Sequence, residues 1–242
     1  MTTLIKVLIS CIISLLLFSC NFDINLGPGV KGNNHVVSKN RDLNGNFNEI
    51  KISRGLDVYL AQNDTQSLTV EADENLHDLI ITKIENGVLE IYADENISYA
   101  ASKKVMLNFK NVSKITATSG SDVYSNNTIK AENLELTATS GSDMSLDSVT
   151  ETLSCNTSSG SNMKLSGKTE KLYAQASSGS DMDAANLSAT TSEAKASSGA
   201  DITVNTSKEL YAKTSSGGDI TYFGNPKKVN TSNGVSGSIH KQ

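Results

Sequence analysis

Ser119-Gly120-Ser121-Asp122 returns as Ser140-Gly141-Ser142-Asp143, Ser159-Gly160-Ser161-Asn162, Ser178-Gly179-Ser180-Asp181, Ser198-Gly199-Ala200-Asp201 and Ser216-Gly217-Gly218-Asp219. The glycines step by 21, 19, 19, 20 and 18 residues. A corner that recurs at a nearly constant interval marks a solenoid, with one coil per repeat stacked on the last. The flanks agree. Ahead of the corners stand Leu134, Leu136 and Ala138, then Leu153, Cys155 and Thr157, then Leu172, Ala174 and Ala176, and finally Leu210, Ala212 and Thr214. Behind them stand Val123, Met144 and Leu146, Met163 and Leu165, Met182 and Ala184, Ile202 and Val204, and Ile220 and Tyr222. Apolar residues alternate with polar ones, so each corner joins two strands whose alternate side chains point inward.

About twenty residues cannot hold a strand, a helix and their loops, but at roughly 3.3 Å per residue they close a narrow ring of two or three strands. Stacked rings pair each strand with its equivalents. The expected fold is therefore all-β: a single-domain parallel β-helix, right-handed because parallel crossovers are, with 18–21 residues per coil. The glycine supplies a positive φ at the bend, and the Asp or Asn two residues on is expected to close the turn through the backbone, with Ser able to do so more weakly. Ile50, Ile52, Gly55, Asp57, Val58 and Leu60 repeat the template once, far upstream. Fuller β sequence lies between, with Asn86-Gly87 as a hairpin turn. Residues 45–115 therefore read as a cap and 116–240 as repeat coils.

The chain opens with Lys6, an apolar run from Val7 to Phe18, and Leu17-Phe18-Ser19-Cys20. The run is too short for an ordinary membrane span and reads as a signal peptide over 1–19. The four residues resemble a bacterial lipobox, which implies cleavage before Cys20 and lipidation of its sulfur. Residues 20–44 read as a flexible tether, and the protein as an outer-membrane-anchored lipoprotein of a Gram-negative envelope. Without residues 1–19 the chain carries 20 basic and 26 acidic groups. That balance argues against a nucleic-acid partner, which would call for a basic stripe.

Two sets of residues are candidates for ligand contact. Asp122, Asp143, Asp181, Asp201 and Asp219, with Asn162 among them, form a ladder one rung per coil. A row of carboxylates invites Ca²⁺, but the period is not that of the calcium-binding β-roll, so no metal and no cofactor are assigned. Tyr173 and Tyr211 share an outward position two coils apart, with Glu193 between them, as a platform for sugar rings or a cell-surface protein. No pair of carboxylates flanks a recognisable cleft, and the chain is read as a non-enzymatic adhesion or binding module, the alternatives being a polysaccharide-binding protein, a β-helix polysaccharide lyase or hydrolase, and a structural periplasmic lipoprotein.

Phe47-Asn48-Glu49-Ile50-Lys51-Ile52-Ser53-Arg54-Gly55-Leu56-Asp57-Val58-Tyr59-Leu60, then Gly87-Val88-Leu89-Glu90-Ile91, then the Ser-Gly-Ser-Asp corners, together resemble the head-GIN-domain family. Its members are bacterial lipoproteins labelled auto-transporter adhesins. The resemblance spans residues 45–240 and implies a β-helical fold and a role in adhesion. It brings no catalytic residues.

Overall fold

The computed structural model describes residues 28–242. The strands are β1 (Val30–Lys31), β2 (Val36–Arg41), β3 (Glu49–Ser53), β4 (Asp57–Gln62), β5 (Ser67–Asp73), β6 (Ile80–Glu85), β7 (Val88–Ala93), β8 (Ile97–Tyr99), β9 (Lys103–Phe109) and β10 (Lys114–Ala117). They continue as β11 (Asp122–Ser125), β12 (Ile129–Thr139), β13 (Asp143–Ser158), β14 (Asn162–Ser177), β15 (Asp181–Ser197), β16 (Asp201–Ser215), β17 (Asp219–Phe223), β18 (Lys228–Ser232) and β19 (Ser238–Lys241). They wind into a β-solenoid of about seven turns built from stacked parallel strands.

Three faces run along it. The first stacks β7, β3, β10, then the ends of β12 to β16, and closes with β18. The second stacks β9, β4, β11, the beginnings of β13 to β16, then β17 and β19. The middles of β12 to β16 form the third, as in Lys130↔Val149 and Val149↔Lys168. Unequal coil lengths are absorbed by bulges, at Lys164/Ser166 and again at Ala184/Ser188 and Ala189/Thr191.

The corner is tighter than its glycine alone implies. The seven corner glycines (Gly55, Gly120, Gly141, Gly160, Gly179, Gly199 and Gly217) have φ between 64° and 76°, and the residue before each is also left-handed: Arg54 at 62° and the six serines at 49–57°. Two consecutive left-handed residues reverse the chain within one step. The third residue closes the turn. Ser121, Ser142, Ser161 and Ser180 are fully buried. Ser142 Oγ donates to Ala117 O at 3.0 Å and accepts from Thr139 N–H at 3.0 Å, and Ser161 Oγ does the same with Ala138 O and Ser158 N–H. The expected order is therefore corrected: Ser, the weaker of the two expected closers, closes the turn, and Asp does not. Serine sits at the inward position, where unpaired backbone groups would otherwise be stranded, while Asp143, Asp181, Asp201 and Asp219 point to solvent.

Coil order does not follow chain order. The coil of β3 and β4 lies between the β7–β9 coil and the β10–β11 coil. After β4 the chain leaves the stack and lays β5 antiparallel on β9. It then turns through a 3-10 helix at Glu74–Leu76 and lays β6 antiparallel on β7. Asn86 and Gly87, at φ 50° and 79°, join β6 to β7. Having completed the end coil, the chain crosses past β4 to begin β10. Gln62 pins that crossing: its Nε2 donates to Lys110 O (2.9 Å) and Lys130 O (3.0 Å), and its Oε1 accepts from Lys130 N–H at 2.7 Å. Within residues 45–115, then, β3–β4 and β7–β9 are true coils, and the cap proper is β5 and β6 with β2.

Strand β2 also corrects the extent of the tether. Val36 to Arg41 pair with β5 over six residues, and β1 pairs with β8. The segment is polar and exposed at an edge, held by backbone hydrogen bonds, so no apolar alternation announced it. The residues read as a signal peptide (1–19), Cys20 and the first part of the expected tether lie outside the described residues.

The core changes character along its length. Its largest fully buried side chains, among them Ile50, Ile52, Leu60, Leu107, Phe109 and Ile115, belong to the end that holds the cap. Farther along, the interior is Leu, Met and Ala with buried hydroxyl pairs: Thr150–Thr169 at 2.9 Å and Ser192–Thr206 at 2.6 Å. Cys155 is buried in this thin core, and desolvation pushes its thiol pKa well up, so it stays protonated.

Candidate binding face

The carboxylate ladder is real and longer than expected. Along the second face, the outward row reads Lys104, Asp57, Asp122, Asp143, Asn162, Asp181, Asp201, Asp219 and Ser238. Asp57 joins it because its coil sits directly beside that of Asp122. Each end is relieved. Lys103 donates to Gly55 O and lies 3.9 Å from Asp57, while Ser238 donates through both its N–H (2.8 Å) and its hydroxyl (2.5 Å) to Asp219. Asn162 relieves the middle by donating to Asp143 at 2.8 Å.

The remaining rungs are strained electrostatically. Burial, followed by the charges of Asp57 and Asp143, raises the pKa of Asp122. Burial, followed by Asp181 and Asp219, raises that of Asp201. Asp219 is lowered by its bonds from Ser238. A raised folded-state pKa means that folding binds protons, so the Asp122 and Asp201 contributions favour folding below the usual carboxylate range and are lost as pH climbs through their raised values. Asp219 runs the other way: its contribution is present above the usual range and lost as pH falls. Asp201→Asn is accordingly expected to stabilise the protein at pH 7 by about 0.5 kcal/mol, the scale of an exposed charge interaction. The gain should shrink as the parent is acidified toward pH 4, checked by thermal melts across that range. Among the described residues no group of three or more metal-ligating side chains converges.

Tyr173, Glu193 and Tyr211 fall in register on the first face, with Tyr173 42% and Tyr211 38% exposed. Equivalent positions two coils apart are separated by about 9–10 Å. Beside them the next outward row reads Asn156, Gln175, Lys195 and Lys213. That row lines a shallow trough of about 400 Å³ whose far wall is the corner serines Ser177, Ser197 and Ser215. Glu193 is drawn sideways onto Lys195 at 2.5 Å, and this partner raises the lysine pKa. The corner separates this face from the carboxylate ladder, so Tyr173 and Tyr211 do not share one surface with the aspartates.

Sequence reasoning passed over a second aromatic pair. Tyr59 and Tyr124 stack on the second face with ring centroids 5.2 Å apart and planes inclined by 24°. Both stand four residues after their corner glycines, which was legible; that the two coils touch was not.

The model of the family described as "Putative auto-transporter adhesin, head GIN domain" matches residues 46–226. The chain belongs to the head GIN domain family. Solved structures share the head GIN fold over 88% of the chain. A protein from Bacteroides fragilis named a putative adhesin superposes with a TM-score of 0.82 at 20% identity, over 100% of its own length. A putative adhesin from Parabacteroides distasonis gives 0.72 at 20% identity over 99% of its length. A protein from the same species named a putative lipid binding protein gives 0.71, also at 20% identity over 99% of its length. No curated protein matches this head GIN chain.

Proposed function

We propose that this protein is a lipid-anchored, non-enzymatic module of the bacterial envelope that mediates adhesion by binding carbohydrate along its first face. The observation that carries the reading is the in-register exposure of Tyr173 and Tyr211 in the row beside a polar trough. Aromatic faces bind the C–H faces of sugar rings, and amides and ammonium groups beside them bond to ring hydroxyls. The family description and the adhesin names of its structural relatives support a surface role. The lipobox at Cys20 supports membrane attachment. The solenoid interior is filled by the protein's own side chains, which favours a surface ligand over an enclosed lipid chain.

The test is a glycan array probed with detergent-solubilised full chain, with and without Ca²⁺. Reproducible binding to one glycan class that falls at least tenfold in Tyr173→Ala/Tyr211→Ala supports the reading. Full retention in the double variant rejects the tyrosine face as the site.

A further inference from the structure

We infer that the ligand of the first face is an anionic polysaccharide lying along the solenoid axis, an inference that rests on the binding reading above. The outward lysines of this face are placed around the tyrosines. Lys171 lies two residues before Tyr173, and Lys213 two residues after Tyr211, so each projects from the same side of its strand as its tyrosine. Both are exposed, and neither makes an ion pair among the described residues. The acids in register with these rows are matched, Glu193 by Lys195 at 2.5 Å and Glu209 by Lys228 at 2.5 Å, while Glu170, next to Lys171, lines the third face with Lys168 and Glu151. The surplus is therefore positive, and it sits diagonally at the two ends of the Tyr173–Tyr211 platform.

The opposite charge is gathered around the corner. In these coils the second face presents Asp181, Asp183, Asp201 and Asp219 outward, a row that repels a polyanion and confines it to the first face. The chain is acidic overall, with 26 acidic and 21 basic groups, so a local cationic surplus is a property of this face rather than of the composition. The coil repeat of about 4.8 Å is close to the length of one sugar unit in an extended chain. A polymer lying along the axis then meets an equivalent polar row at every unit, an aromatic ring at every second one, and an unpaired ammonium at each end of the platform. Carboxylated and sulfated polymers share this chemistry, and the trough's amides and hydroxyls complete the contacts to neutral hydroxyls.

Binding of the detergent-solubilised full chain to polygalacturonate, hyaluronan and heparin is compared with binding to their carboxyl-reduced or desulfated counterparts, at 50 and 300 mM salt. At least one anionic polymer should bind tenfold or more tightly than its neutral counterpart, and its affinity should drop as salt rises. Lys213→Glu and Lys171→Glu should each weaken that binding at least fivefold while leaving the circular dichroism spectrum and melting temperature unchanged. Asp181→Asn, on the other face, should leave it intact. Equal affinity for the neutral forms, lost in the tyrosine double variant but not in the lysine variants, overturns the anionic inference and leaves the carbohydrate reading standing. No binding to any polymer, charged or neutral, overturns both, as does capture of a protein ligand at the same tyrosines in place of glycan.

Discussion

Gly167→Ala should destabilise the protein by about 4 kcal/mol, combining a strained left-handed backbone with an overpacked contact. Gly167 has a φ of 107°, and a Cβ built there would lie 2.0 Å from the carbonyl oxygen of Ser148 on the adjacent coil. The obstacle is backbone, so no rotamer change relieves it. By contrast, Gly179→Ala should cost only about 1 kcal/mol, the penalty of a left-handed L-residue, because nothing lies within 4 Å of the added carbon. The repeated corner glycines are conspicuous, yet the isolated one is the more critical. Chemical denaturation of the two variants should show a large difference in midpoint. Equal losses would mean that the third face relaxes at Ser148 more readily than a hydrogen-bonded ladder allows.

Ile52→Ala is the second expected large effect, about 3 kcal/mol, typical of deleting a buried isoleucine side chain beyond its β-carbon. Ile52 is fully buried and stacks between Ile91 on one side and Ala117 on the other. Its coil joins the cap-bearing end to the repeat coils, so the loss weakens two interfaces at once. Ala117 is too small to fill the space. Ala176→Gly, at the equivalent inward position four coils farther along, removes one methyl and should cost about 1 kcal/mol. Guanidinium melts would separate the two. A loss at Ile52 no larger than that at Ala176 would contradict its placement as an interior coil.

Much of this was legible in the residues because parallel pairing in a solenoid joins positions one repeat apart. A constant spacing in sequence is then a constant neighbour in space. Asp143 and Asn162, or Tyr173 and Glu193, are partners for that reason, and the inward rows of Leu, Met and Ala follow from the period of two. The corner was located correctly, but its closure was credited chiefly to Asp and only weakly to Ser. Short polar side chains of both kinds can bond to a turn, and only burial distinguishes which one faces the stranded backbone groups. Strand β2 was missed because an exposed edge strand needs no apolar pattern.

The sequence by itself determined the solenoid, its corners, the ladder from Asp122 to Asp219 and the shared row of Tyr173 and Tyr211, all of them consequences of a local repeat. Tertiary structure alone decided that the β3–β4 coil is an interior layer, that Asp57 extends the ladder, and that Tyr59 stacks on Tyr124. It also set Tyr173 and Tyr211 on a different face from the carboxylate ladder. Those facts depend on where the chain re-enters the stack after its antiparallel detour through β5 and β6, and on the corner's double left-handed turn. The detour has no period in the sequence, whereas the corner recurs with every coil. Where the chain re-enters follows from which exposed edge each returning strand could pair with while burying the large side chains of the capped end.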